Sequence, residues 1–210
     1  MSLSELWSLY GQNYIDALLA TWGMTLESFA IAMVLAVAVT VMRVSPLKPL
    51  RVFGDLYVQV FRNIPGIALL IIVVYALPPL KVVLPYRTCV IVATVLLGSA
   101  FGSENFMSGI NTVGVGQVEA PRSLGMSFSR ILAKIVIPQA LRSSVLPMTN
   151  LFIAVMLTTA LGSQVPLKPQ ELTGVVSYIN TRSLGGVAAF FISALGYLGT
   201  ALRIHIRHQL

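Results

Sequence analysis

The chain has 210 residues, of which 56% are hydrophobic and 10% charged, with a formal charge of +7. An average soluble domain is about 25% charged, so a chain this poor in charge cannot cover a water-facing surface and is expected to be integral to a membrane. The mean hydropathy of +0.85 agrees, and the bases are too dispersed along an oily chain to make a nucleic-acid surface, so no nucleic-acid partner is expected.

Five stretches are apolar enough to cross a hydrocarbon layer about 30 Å thick as helices. Residues 25–42 are the first, with Trp22 as an interface anchor and Glu27 near one end. Residues 63–80, 88–103, 143–167 and 183–202 are the others. These runs do not alternate as the strands of a membrane barrel would. The predicted fold is therefore all-α and integral to the membrane, one domain over residues 1–210, with about five transmembrane helices. Acids at Glu5 and Asp16, and no base before the first run, do not fit a cleavable signal peptide. Cys89 lies in an apolar run and reads as a packing residue.

Basic residues orient the spans. Arg43, Lys48, Arg51, Arg122, Arg130, Lys134, Arg142, Arg203 and Arg207 fall on one side, with Arg62 at the mouth of the second span. Lys81, Arg87, Lys168 and Arg182 fall on the other. The richer side is expected to be cytoplasmic, which puts the N-terminus outside and the C-terminus inside.

The longest interruption, about residues 104–142, is polar yet ordered in character. Within it runs GQVEAPRSLGMSFSRILAKIVIPQALRSSVLP. Pro121 suits the first turn of a helix, and Glu119 beside it suits the positive end of the helix dipole. Leu124, Phe128, Ile131 and Ile135 make an apolar stripe. Gly125 either breaks the helix or admits a neighbouring backbone, and Pro138 and Pro147 mark the return to the membrane. On pattern alone, such an amphipathic element lies in the lipid interface or in a partner's groove.

The spacing Glu119-Ala120, Gly125, Ile135, Ile137-Pro138 resembles the E-A-A–x3–G–x9–I–x–L-P signature of ABC importer membrane subunits. Pro121 stands for its second alanine and Ile137 for its leucine. Arg62-Asn63-Ile64-Pro65-Gly66, the 98–104 segment ending in Glu104, GQVEA at 116–120, Ile137-Pro138-Gln139-Ala140 and Pro147 with Asn150 are similar to segments of the polar amino-acid permeases within that family, those for histidine, glutamine, arginine and glutamate. The likeness runs from about residue 21 to 183 and looks nearest to actinobacterial glutamate permeases. It implies the type I importer permease fold, with a cytoplasmic coupling helix at Glu119, Ala120, Pro121, Leu124, Gly125 and Phe128. It also implies two ATP-binding cassette subunits that bind the ATP and Mg, a second permease subunit, an extracytoplasmic amino-acid-binding protein and a bacterial cell membrane around the chain. Leu157 stands where relatives have a lysine and Met107 where they have an arginine, which favours a heterodimer.

Arg62, Asn63, Glu104, Asn150, Thr158 and Thr159 are candidates for the substrate path, since polar groups at membrane depth default to function. Their structural alternatives are an Arg62–Glu104 pair and hydroxyls that bond neighbouring helices. Gly98 and Gly102 form a G-x-x-x-G expected to bring two helices close. His205 and His208 read as a solvated tail, because no cysteine or acid accompanies them, and no metal site is expected. No Walker loop or nucleophile–base pair occurs, so the chain is not expected to be an enzyme or to hold a cofactor of its own. A membrane scaffold or a passive channel would share the hydropathy and the charge bias.

Overall fold

The structure, a computed structural model, describes residues 2–182 and 186–207. Every regular element among them is helical, as expected. In chain order they are α1 (Leu3–Val44), α2 (Lys48–Asn63), α3 (Gly66–Leu80), α4 (Tyr86–Asn111), α5 (Val115–Ser123), α6 (Phe128–Gln164), α7 (Gly174–Asn180) and α8 (Gly186–Arg207). Four of them are long and apolar enough to cross a membrane, and a fifth crossing is made if the bent pair α2–α3 counts as one.

The first helix begins far earlier than residue 25. Ser2 caps it, its Oγ accepting from the Glu5 N–H while its own N–H donates to Glu5 Oε2 at 2.8 Å. This is a capping box, legible as Ser-x-x-Glu. The 42-residue helix is about 63 Å long, twice the hydrocarbon thickness. Its first third packs through Leu6, Tyr14 and Ala17 on α7 and α8, and the Tyr14 hydroxyl donates to the Ala189 carbonyl at 2.9 Å. The Trp22 ring lies 6.4 Å from that of Phe152 on α6.

Beyond this, α1 and α4 run parallel. Glu27 and Arg87 pair at 2.6 Å at one end, and Arg43 and Glu104 at 3.1 Å at the other. The stretch between these pairs is about 24 Å along α1. The expected close approach occurs here. A Cβ on Gly98 would lie 3.3 Å from Ala32 Cβ, and one on Gly102 would lie 2.9 Å from Ala36 Cβ.

The second predicted span, residues 63–80, is α3, and a separate helix precedes it. The polar and apolar residues of 48–63 form α2, and the chain then turns by 103° into α3. Pro65 sets the turn, since it restricts Ile64 to extended backbone (φ −82°, ψ 131°). Two π turns, at Ile72–Ala76 in α3 and Leu132–Val136 in α6, lie just ahead of Pro78 and Pro138. Proline cannot donate to the carbonyl four residues back and crowds it, and a widened turn absorbs both defects.

The 104–142 segment is not a long loop. α4 runs on to Asn111, and α6 begins at Phe128. Pro138 and Pro147 sit inside α6 rather than marking its entry. The two helices therefore project past the level of Glu104 as a stalk that carries α5 between them. Ser144 Oγ donates to the Asn105 carbonyl at 3.3 Å, Asn105 Nδ2 donates to the Pro147 carbonyl at 3.1 Å, and Thr112 Oγ1 lies 3.2 Å from Ser143 Oγ. The fifth span is α8, and residues 183–185 of the predicted stretch lie outside the described residues. His208 lies outside them too, as does the side chain of His205. Cys89 is buried and free, as expected.

Candidate functional site

α5 has no buried residue. Pro121 is not in its first turn; it stands inside the helix, near the C-terminal end. Gly125 ends the helix, as its residue type suggested, with φ +81°. The Gly125 N–H donates to the Arg122 carbonyl and the Met126 N–H to the Pro121 carbonyl, both at 3.0 Å. This pair of bonds is a Schellman stop. The stripe read from the sequence is therefore split. Leu124 stands in the turn after α5 and is 89% exposed, while Phe128 and Ile131 begin α6. Glu119 is exposed, and Ala120, Pro121, Leu124, Gly125, Met126 and Arg130 line a surface recess of about 390 Å³. An exposed helix with a leucine at its tip and a recess beside it offers an apolar patch on the surface.

A larger cavity of about 980 Å³ opens between the start of α3, α4 and the spanning part of α6. Arg62, Asn105 and Asn150 give it polar groups at the stalk end, with Thr158 and Gln164 further along α6. Leu157 also lines it. Thr159 does not. It is fully buried and donates to the Met156 carbonyl at 2.6 Å, which is a packing role.

Glu104 and Asn63 lie outside the large cavity and line a small polar one of about 140 Å³ beside it, with Arg43, Asp55 and Arg62. Here Glu104 Oε2 bridges two guanidiniums, Arg43 at 3.1 Å and Arg62 at 3.5 Å, while Arg43 Nε meets Asp55 at 2.9 Å. Arg62 also stacks over the Phe101 ring at 5.4 Å. The expected Arg62–Glu104 pair is thus present, but it belongs to a network joining α1, α2 and α4. Glu104→Ala removes the shared anion and is expected to cost about 1–2 kcal/mol, because the site is only half shielded from water. A lower unfolding temperature of the detergent-extracted chain is the readout.

The pattern of a binding-protein-dependent transport system inner membrane component matches residues 28–204. The chain belongs to that family. The glutamate transport system permease protein GluC of Corynebacterium efficiens is 32% identical, over 93% of this chain and 91% of its own length. The L-cystine transport system permease protein TcyB of Bacillus subtilis is 32% identical, over 90% and 81%. Among solved structures, an amino acid ABC transporter superposes with a TM-score of 0.90 at 24% identity, covering 98% of this chain and 94% of that one. The inward-facing MetNI methionine ABC transporter gives 0.71 at 19% identity, covering 99% and 95%. These two likenesses place the fold among the type I importer permeases.

The chain is accordingly a multi-pass inner-membrane component of an importer that works with separate ATPase and binding-protein subunits. Sequence reasoning missed one polar corner of this permease component. Glu171, between α6 and α7, is fully buried. Its carboxylate accepts from the Thr173 N–H at 2.7 Å, from the Gly174 N–H and from the Tyr197 hydroxyl at 2.9 Å, and so ties α7 to α8. The neighbouring Leu172 N–H donates to Thr21 Oγ1 of α1 at 3.1 Å. A single acid in a loop gives no warning of this; the only hint was Glu two residues ahead of Thr-Gly at a helix start. Burial pushes the Glu171 carboxyl above its usual range, against the pull of its donors. Between the ordinary carboxylate pKa and the raised one, the folded state binds more protons than the unfolded state. Stability is therefore highest below that window and falls as pH rises through it. Glu171→Gln is expected to flatten this pH dependence. Glu171→Ala strands three donors and is expected to cost about 3 kcal/mol. Unfolding followed against pH checks both.

Proposed function

We propose that this permease component forms, with a second and similar permease subunit, the membrane path for a polar amino acid of the glutamate class. Two ATP-binding cassette subunits bind the ATP and Mg and dock on α5. An extracytoplasmic binding protein delivers the substrate at the opposite face. The stalk carrying an unpartnered α5 is the observation that carries this reading. Closure of the ATPase pair would move α5 as a unit, and the hydrogen-bonded stalk would pass that movement to α4 and α6, whose facing sides line the large cavity.

Arg43, Lys48, Arg51, Arg122, Arg130, Lys134 and Arg142 lie on or beside the α5 end of the bundle, which supports a cytoplasmic α5 and an outside N-terminus. Within the cavity, Arg62, Asn150 and Thr158 are the candidate substrate groups. Glu104 acts through Arg62, Asn63 lines the small polar cavity beside it, and Thr159 acts through helix packing. Leu157 on the cavity wall supports a heterodimer, in which the partner supplies the cation that this subunit lacks. The glutamate and cystine transport named for the relatives supports the substrate class.

Uptake of radiolabelled glutamate by a strain lacking this gene, with and without the restored gene and with competing amino acids, tests the reading. Restored uptake that glutamate competes best is expected. Uptake unaffected by the deletion, or flux that persists without ATP as in a passive channel, contradicts it.

A further inference from the structure

α2 has a second face that the transport reading does not use. Its polar side is held: Asp55 by Arg43, Arg62 by Glu104, and Tyr57 by Ser99 at 2.7 Å. Gly54 sits against the backbone of α1, where an added Cβ would lie 3.2 Å from the Val39 carbonyl oxygen. These ties reach α1 at Val39 and Arg43, and α4 at Ser99 and Glu104. α2 therefore crosses the parallel pair near one end of its apolar stretch, and the 103° turn into α3 keeps it there. The opposite side presents Val52, Phe53, Leu56 and Val60, which are 55%, 59%, 58% and 48% exposed. Lys48 and Arg51 are exposed at the start of the helix, and neither has an ion pair among the described residues.

We propose that α2 lies in the leaflet interface at the α5 end, with its apolar side in the acyl boundary and Lys48 and Arg51 on the headgroups of anionic phospholipids. The combination is that of an interfacial helix: an apolar side some ångströms below the headgroups, with bases beside it. Ser99 lies five residues deeper along α4 than Glu104, so Tyr57 reaches about 7 Å below the ion-pair level, which is the depth such helices reach. A second copy of this chain meeting it through the same face would bring its own Lys48 and Arg51 nearby, whereas an anionic surface complements them. Bound lipid would then hold α2, and through Arg43 and Arg62 the mouth of the large cavity, in register with the leaflet.

The test uses the full chain in phosphatidylcholine vesicles with and without phosphatidylglycerol. A nitroxide on Leu56→Cys, in a Cys89→Ala background, is expected to collide with dissolved oxygen more than with a water-soluble nickel chelate. A label shielded from both indicates a protein partner and overturns the proposal, as does a label dominated by the nickel chelate. Native mass spectrometry of the chain from the mixed vesicles is expected to show retained phosphatidylglycerol. Lys48→Gln with Arg51→Gln is expected to reduce that retention on the order of tenfold, while Arg203→Gln leaves it unchanged. Equal retention by the double variant overturns the headgroup assignment, even if Leu56 proves to be lipid-facing. Neither readout depends on the substrate or on the ATPase partner, so failure here is separable from failure of the transport reading.

Discussion

Gly125→Asp is expected to leave the chain folded in the membrane and to lower ATP-driven uptake by about tenfold or more. The backbone at Gly125 has φ +81°, a region that side chains enter at a cost of about 1 kcal/mol. A Cβ there meets nothing within 4 Å, so the fold has no steric reason to fail. What changes is the surface offered to a partner. Gly125 borders the recess beside the exposed Leu124, and its left-handed turn sets the direction in which α5 ends. Strain in that turn re-aims Leu124, and a new carboxylate enters a site that a partner must desolvate; truncation or mismatch at such anchors commonly costs about 2 kcal/mol or more. Glu119→Lys, on the exposed surface of α5, is expected to act in the same sense through charge reversal alone. Normal uptake by both variants at wild-type membrane abundance would remove α5 from the coupling role.

A large effect on stability is also expected at Gly109. A Cβ there would overlap Ser144 Oγ and stand 2.6 Å from the Ala140 carbonyl oxygen. One of these neighbours is backbone, so no side-chain rotation relieves the clash, and α4 and α6 must separate where they form the stalk. Gly109→Ala is expected to cost about 3 kcal/mol. The cost should appear as reduced abundance and a lower unfolding temperature, with coupling lost in the surviving fraction. Gly102→Ala meets Ala36 Cβ and Met33 Cε at 2.9 Å each. The methionine end can swing away, but the Ala36 Cβ is fixed to the α1 backbone, so α1 and α4 must part by a few tenths of an ångström; the overlap is milder than at Gly109, and the expected cost is smaller. Gly116→Ala, on α5 with open space around it, is expected to be neutral or slightly stabilising in a helix. Equal stability of the Gly109 and Gly116 variants would contradict the close packing of the stalk.

Three glycines on α4 illustrate what the sequence could and could not tell. Gly98 and Gly102 were legible because their spacing of four puts them on one face, and that face meets Ala32 and Ala36 of α1. Gly109 has no partner at that spacing, and its neighbour is another helix, so nothing local announced it. The same division holds elsewhere. Spans were legible from hydropathy, because lipid rewards it residue by residue. Their ends were not, because α1, α4 and α6 run on past the membrane under the control of packing rather than oil. The position of Pro121 in α5 is not legible from residue type, because a proline is equally acceptable in a first turn; the Schellman bonds at Gly125, which the sequence shows only as a glycine, decide it. Among the candidate path residues, Arg62, Asn150 and Thr158 line the large cavity and Thr159 does not. One residue along a helix rotates a side chain by about 100°, and an all-apolar span has no stripe by which to fix that rotation.

Co-purification tests the central claim most directly. The tagged chain, extracted in mild detergent from its native membrane, is expected to bring down an ATP-hydrolysing subunit. That subunit is expected to be lost when Glu119→Lys or Gly125→Asp is introduced and to be retained with Gly116→Ala. Absence of an ATPase from the wild-type preparation, or its undiminished presence with both α5 variants, would contradict docking through this helix.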